Sequence, residues 1–404
     1  MVGPALFDGA VVLSGKRIRA VGRWRDLARS NSGASVDLGE VILMPGLVNA
    51  HCHLDYTHMV GQLSPPRLFI DWLKLITSTK AQWNTEEYTA SWLAGAQMLL
   101  SSGTTTVADI EAVPELLPGV WNSTPLRVIS LLEMIGITNR RPPEEVLRQT
   151  VDKTAGLAHK RCAIGLSPHA PYSTVVELLK TSSEVAKRRG WLVCTHVAES
   201  ATEFAMFAEA KGDMFEWLRR SGREMSDCGL GSPVRHLERC GLLGRNLIAA
   251  HVNYLARGDA ALLGERGVNV VHCPRSHAFF RHDPFPFERL ARAGVNICLG
   301  TDSLASVVKP PRQSIELDMF TEMRVFAQQH PSISPGRIVR MATVDGARAL
   351  GRQDSIGKIF PGALADLVTL PFSRRMKRID EAVLEHRGPV RASMIDGKWA
   401  MPLT

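Results

Sequence analysis

The segment V-N-A-H-C-H-L-D-Y-T-H-M, residues 48–59, places three histidines, His51, His53 and His58, within eight positions. Imidazoles at i and i+2 on a strand point the same way, so His51 and His53 can converge on one point while Cys52 turns to the opposite face. By itself an H-x-H pair is weak evidence, since two histidines satisfied within a core give the same pattern. His196 in T-H-V-A-E and Asp302 in G-T-D-S-L-A-S change the weighing. Three imidazoles and a carboxylate are a donor set for one divalent metal, Zn²⁺ foremost, with Fe²⁺ also accommodated. His58 lies five residues beyond His53, past the strand, and is left outside this set.

A water activated by such a metal needs proton carriers. Glu199 follows His196 by three residues and can reach over the metal from a loop; the alternative is a carboxylate favoured by a helix N-terminus. Glu203 is expected to be the surface carboxylate of that helix. His251 in A-A-H-V can orient the attacking water or polarise a substrate; the alternative is a structural histidine bonded to a backbone carbonyl.

Eight short β-rich runs position these residues: 47–53, 104–110, 127–133, 162–169, 192–199, 247–252, 268–274 and 295–302. Helical stretches separate them, such as 174–190, which a glycine ends. Alternating β and α units imply a parallel sheet, and eight of them over about 250 residues match a closed (β/α)8 TIM barrel. An open doubly wound sheet is the rival. His51, His53, His169, His196, His251, His272 and Asp302 all fall at or near the C-terminal ends of these runs, the active-site face of such a barrel. Short β-segments at 10–14, 17–22 and 41–46, and again at 366–370 and 392–399, are expected to pair into a small β-sandwich domain built from both termini. The division is then residues 1–46 plus 357–404 for the sandwich and 47–356 for the catalytic barrel.

The 404 residues are 45% hydrophobic and 22% charged, ordinary for a globular protein. The net charge of +8 is modest, and its basic clusters, such as S-R-R-M-K-R at 373–378, are short. They read as a solvated face or as a preference for a small anion; no basic patch with interleaved aromatics points to nucleic acid. Of seven cysteines, Cys52, Cys162, Cys194, Cys273 and Cys298 sit in apolar runs and no C-x-x-C occurs, so reduced core thiols are expected. No apolar run is long enough for a membrane span and no signal sequence is evident, so a cytoplasmic protein is expected.

Together the motifs P-G-L-V-N-A-H-C-H (45–53), S-P-H-A-P-Y-S (167–173), T-H-V-A-E-S (195–200), H-C-P-R-S (272–276) and G-T-D-S-L-A-S (300–306) resemble the amidohydrolase superfamily, in its mononuclear deaminase and chlorohydrolase branch. The tail, A-T-V-D-G-A-R-A-L-G (342–351) and I-G-K-I-F-P-G-A-L-A-D-L-V (356–368), extends the likeness over nearly the whole chain. The resemblance implies metal ligands at His51, His53, His196 and Asp302, and catalytic roles for Glu199, His251 and Asp302. Binuclear relatives use a lysine at the end of strand four; here that strand ends L-S-P-H-A-P, so a single metal is implied. The implied reaction is hydrolytic deamination of an aminated purine. Glu199 would protonate the ring nitrogen, His251 would steady the incoming oxygen, and Asp302 would take a proton from water. Chlorohydrolase or other cyclic amidine hydrolysis, and guanine or cytosine deamination, are the alternatives.

The loop after strand one holds H-L-D-Y and then F-I-D-W-L, similar to aminodeoxyfutalosine deaminases. Phe69 and Trp72 can form an aromatic lid over a planar base, or serve as ordinary helix packing. Arg67 and Arg275 would suit a substrate carboxylate. His169 resembles a substrate-binding histidine of adenosine-type members, and Ser303, beside Asp302, is expected to line the same site. The expected partner is a small molecule, an adenine nucleoside of the aminodeoxyfutalosine, S-adenosylhomocysteine or methylthioadenosine type. Homo-oligomers are common among such proteins.

Overall fold

Eight parallel strands, Leu47–Cys52, Thr104–Glu111, Arg127–Met134, Ala163–Pro168, Val193–Val197, Leu247–His251, Asn269–His272 and Asn296–Leu299, lie side by side in chain order. The computed structural model describes residues 5–31, 33–138, 140–372 and 378–402; all but the last residue of the basic run 373–378 lies outside them. The sheet curls until its two edge strands meet. There Cys52 bridges Asp302, and the Thr301 and Asp302 amides, each at 3.1 Å, donate to the His51 carbonyl. This is the expected barrel, not an open sheet.

Two layers of apolar residues hold it. Val48, Ala108, Ile110, Ile129, Leu131, Ile248, Ala250, Val271 and Cys298 fill the interior. Outward-facing Leu247, Ala249, Val270, Ile297 and Leu299 join Leu179, Leu237, Leu263 and Phe326 of the surrounding helices. The helix expected over 174–190 spans Val176–Arg189 and ends on Gly190, whose φ of 65° gives the left-handed stop that glycine adopts without a Cβ clash.

Several strands end earlier than the sequence suggests. His251, Val252 and Asp302 have φ of 72°, 53° and 54°. Left-handed backbone at non-glycine residues breaks the ladder at the end of strand six and beyond strand eight, and re-aims the side chains there. Such residues cost roughly 1–3 kcal/mol each and persist where their surroundings impose them.

Both chain ends supply the smaller sheets. Gly9–Ser14 and Arg17–Arg23 form a hairpin; Val41–Pro45 joins Leu367–Pro371, Ala392–Ile395 and Lys398–Met401 in a four-stranded antiparallel sheet. The segment expected as one strand over 392–399 is thus two, separated by a turn at Asp396 and Gly397. Ile18 of the hairpin packs with Ala363, Ala365 and Leu367, and with Leu43 and Met394 of the sheet. Among the described residues no helix is long and apolar enough to cross a membrane.

An ion cluster ties this unit to the barrel. Arg127 opens strand three at the end away from the histidines; its guanidinium reaches Asp366 at 3.0 Å and Asp396 at 2.8 Å, and Asp366 also accepts the Asp396 amide. Arg127 and Asp366 are both buried. Removing one partner of such a cluster strands the others in low dielectric. Arg127→Met should therefore lose about 3–5 kcal/mol of stability, read as a lower urea midpoint, while turnover by the folded fraction stays at the parent level.

Candidate active site

Strand one delivers the H-x-H pair by breaking its own alternation. Its register against strand two shifts between Asn49 and Cys52, so Val48 and Ala50 fill the interior and His51 and His53 still turn inward above them. The neighbouring edge fixes their height. Asn49 donates to the Thr301 hydroxyl at 2.8 Å and accepts the Thr301 amide at 3.1 Å. Gly300 lies so close to strand one that a Cβ there would sit 2.7 Å from the His51 carbonyl oxygen and 3.0 Å from the His51 Cβ. No other residue fits, and the closeness sets Asp302 against the two imidazoles.

The donor atoms converge. His53 Nε2 lies 3.3 Å from His196 Nε2, and Asp302 Oδ1 lies 3.7 Å from His51 Nε2 and 3.6 Å from His53 Nε2. A tetrahedral metal with bonds of about 2.0–2.1 Å has ligand edges of about 3.3–3.4 Å, and these three separations stand close to that spacing. Their outer hydrogen bonds suit the task. His196 Nδ1 donates to the His169 carbonyl at 2.8 Å, which turns its Nε2 lone pair inward, and His51 Nδ1 faces the Cys194 thiol at 3.6 Å. His51 Nε2 is buried with no hydrogen-bond partner, as is His251 Nε2. Orphaned inward nitrogens of this kind are what a cation would satisfy. His251 joins His51 and His196 in a second group of donors within metal-binding distance, and joins Glu199 and Asp302 in a third. Burial drives His53 and His251 down to about 3, so both imidazoles are neutral donors. Burial alone would raise Asp302; the imidazoles of His51, His251 and His53 around it hold it well below the usual carboxylate range.

Glu199 and His251 face one another beside this cluster, Oε1 to Nε2 at 3.6 Å. Burial, with Asp302 and Glu203 nearby, pushes Glu199 well above the ordinary carboxyl range. It is therefore poised to hold a proton in the folded protein. Its backbone is held on both sides: Asn253 donates to its carbonyl at 2.9 Å, and Ala198 before it takes a φ of 51°.

Glu203 is not the expected surface residue. It is fully buried, and its carboxylate accepts the Ala198 amide at 2.9 Å and the Glu199 amide at 2.8 Å. Burial raises it to about 7 against those bonds. Ser200 caps the following helix by accepting the Glu203 amide, so S-A-T-E is half a capping box whose glutamate reaches further back than usual. That motif was the available signal.

The other expected residues divide. His169 stands beside His196, ring centroids 4.7 Å apart, with Nδ1 2.6 Å from the Ser173 hydroxyl. Ser303 lies next to Ser306, whose hydroxyl donates to Asp302 Oδ2 at 3.2 Å. Phe69 and Trp72 both meet Phe280, at 5.1 and 5.0 Å, so the helix Phe69–Lys80 touches the helix that follows strand seven. Phe69 also packs in a cluster with Ala170 and Tyr172 from the loop after strand four. Arg67 stands exposed ahead of its helix. Arg275 is committed elsewhere: buried Glu322 takes its Nε at 2.5 Å, and its Nη1 donates to the Glu316 carbonyl. His58 is exposed and outside every donor group. His272, despite its position at a strand end, faces the helices and stacks on Phe285 at 3.9 Å, because Val271 takes the inward place.

Sequence reading passed over three neighbours. Tyr56 stacks on His53 at 5.2 Å, Lys80 lies 4.6 Å over the Tyr56 ring, and Glu133, at the end of strand three, meets Lys80 at 3.4 Å. Glu133 sits two residues beyond Leu131 in an apolar strand, and that inward alternation could have exposed it.

Glu203→Gln keeps volume but weakens the grip on the Glu199 backbone. Misplacing a reacting group by about 1 Å can cost 10²-fold. The variant should lose roughly 10²-fold in kcat with metal content unchanged, as read by turnover and elemental analysis of one preparation.

Comparison with known proteins agrees with this architecture. A 5-methylthioadenosine/S-adenosylhomocysteine deaminase from Syntrophobacter fumaroxidans is 33% identical over 382 residues, 91% of this chain and 81% of that protein. A 5'-deoxyadenosine deaminase from Methanothermobacter thermautotrophicus is 30% identical, over 92% of this chain and 84% of its own length. The crystal structure of an adenosine deaminase from Xanthomonas campestris with bound zinc superposes with a TM-score of 0.82 at 28% identity, covering 97% of this chain and 88% of that one. The family model for the Amidohydrolase family matches residues 42–400, and the chain belongs to that family.

Proposed function

We propose that this protein is a zinc-dependent aminohydrolase that replaces the exocyclic amine of an adenine nucleoside with oxygen and releases ammonia. The observation that carries the reading is the pairing of a four-donor cluster, His51, His53, His196 and Asp302, with Glu199 and His251 face to face beside it. Relatives at 30–33% identity that act on adenine nucleosides support the choice of substrate class.

The roles follow from where the groups stand. Zn²⁺, when bound, supplies a Lewis acid that brings a water pKa toward about 7. Asp302 is the carboxylate placed to accept a proton from the attacking water. His251 is the neutral imidazole that orients the incoming oxygen. Glu199 hands its proton to the ring nitrogen as the carbon becomes tetrahedral; the proton taken by Asp302 passes to the amine, which leaves as ammonia, and the new hydroxyl returns a proton to Glu199 as it becomes the carbonyl. The amidine of the ring becomes a lactam, so water and substrate account for every atom. General acid–base help of this kind is typically worth about 10² to 10⁴ in rate. The aromatic cluster of Phe69, Trp72 and Phe280, with Arg67 on the loop before it, is suited to a 5′-substituent on the sugar. That keeps aminodeoxyfutalosine among the candidates, with 5′-methylthioadenosine and S-adenosylhomocysteine.

The test is ammonia release from a panel of adenosine, 5′-methylthioadenosine, S-adenosylhomocysteine, aminodeoxyfutalosine, guanine and cytosine. At least one adenine nucleoside should turn over. Inert adenine nucleosides beside an active chlorotriazine or lactam would overturn the reading. Metal analysis separates the histidines: His51→Ala and His53→Ala should fall below about a tenth of the parent's bound zinc, since each removes an inward imidazole of the donor set and opens the site to water, whereas His58→Ala keeps it. Glu199→Gln should retain zinc and lose on the order of 10³-fold or more in kcat, consistent with loss of an essential proton carrier.

A further inference from the structure

Glu133 has no part in the chemistry just described, yet it stands at the mouth of the same barrel. It ends the inward row Ile129, Leu131, Glu133 of strand three, and its Cα pairs in register with Ser167 of strand four, two residues before His169. Its side chain is only 6% exposed. Lys80, the last residue of the Phe69–Lys80 helix, approaches to 3.4 Å, and its ammonium lies over the ring of Tyr56, which stacks on His53. One flank of the pair therefore abuts the wall of the metal cluster, and the other adjoins the strand that carries His169.

A buried carboxylate is costly unless its oxygens are bonded. Charge-assisted N–H···O bonds run about 2.7–2.9 Å, so the contact with Lys80 is loose and satisfies few of the roughly four acceptor positions of a carboxylate. Burial opposes its charge, but Lys80, His169 and His53 outweigh burial and bring it to about 2; it is an ionised acceptor, not an acid. A second cation is a poor ligand here, because Lys80 already neutralises the charge and would repel it. Two neutral donors on adjacent atoms fit well: carboxylates recognise ribose hydroxyls in this way in nucleotide-binding folds. Strand three is two strand spacings of about 4.8 Å from strand one, a step comparable to the reach from a purine's reacting carbon across the glycosidic bond to its sugar.

We infer that Glu133, held in place by Lys80, accepts the 2′- and 3′-hydroxyls of the substrate ribose, so the enzyme selects nucleosides with an intact cis-diol. This rests on the nucleoside reading above.

The experiment compares kcat/KM for adenosine and 2′,3′-dideoxyadenosine, together with inhibition by inosine and 2′,3′-dideoxyinosine as a binding readout independent of turnover. Hydrogen bonds to a charged group should make the diol forms about 10- to 100-fold better, mostly in KM and Ki. In Glu133→Gln that ratio should fall to within about threefold of one, and in Lys80→Met it should fall part of the way. Equal handling of diol and dideoxy compounds by the parent enzyme overturns the inference, and needs no variant to fold. A Glu133→Gln enzyme that keeps the full ratio overturns it too. Release of ammonia from both nucleosides at equal efficiency refutes the diol contact alone; release from no adenine nucleoside refutes the nucleoside reading as well.

Discussion

The seam between the first and last barrel strands is the constraint on which the site depends. One carbonyl, that of His51, accepts two amides, those of Thr301 and Asp302. Asn49 adds two bonds to Thr301, and Gly300 lacks the Cβ that would press on the His51 carbonyl. Closing a sheet of eight strands demands that its two edges find one register. Here the residues that close it adjoin the clustered imidazoles and Asp302, so barrel closure also sets the geometry of that cluster. A barrel that closed in another register would lose the contact of Asp302 with His51 and His53.

That closure carries a cost that other contacts offset. The mouth buries imidazoles and carboxylates together, with left-handed backbone at Ala198, His251, Val252 and Asp302. Three of the four are tied to a neighbour through their own amides. The Ala198 amide goes to Glu203, the Val252 amide goes to the Val197 carbonyl, and the Asp302 amide goes to His51. These bonds join the strained backbone at the ends of strands five, six and eight to strand one and to the helix that carries Glu203.

The barrel and its donor cluster were legible because both rest on periodicity. Alternating runs announce parallel strands, and histidines at their ends announce one face. What stayed hidden depends on contacts between distant segments. Glu203 looks like any helix carboxylate until the turn at Ala198 brings two amides to it. His272 shares the strand-end position of its fellows, yet a single step of alternation sends it to Phe285. Arg275 is near the mouth in sequence, but the buried charge of Glu322 claims it. The early end of strand six reflects residues whose φ no local propensity predicts.

The carboxylates of the mouth show how one cavity produces opposite chemistries. Burial acts on all of them in the same direction, toward the protonated form. What differs is the company each keeps. Asp302 is ringed by imidazoles and stays charged. Glu133 has Lys80 and stays charged, near 2. Glu199 is left with Asp302 and Glu203 close by, and the balance tips to the acid; backbone amides bring Glu203 only part of the way back. Groups driven apart in this way mark a division between proton donors and acceptors. Exchanging the neighbours would exchange the protonation states, so the groups around each carboxylate set its charge as much as its burial does.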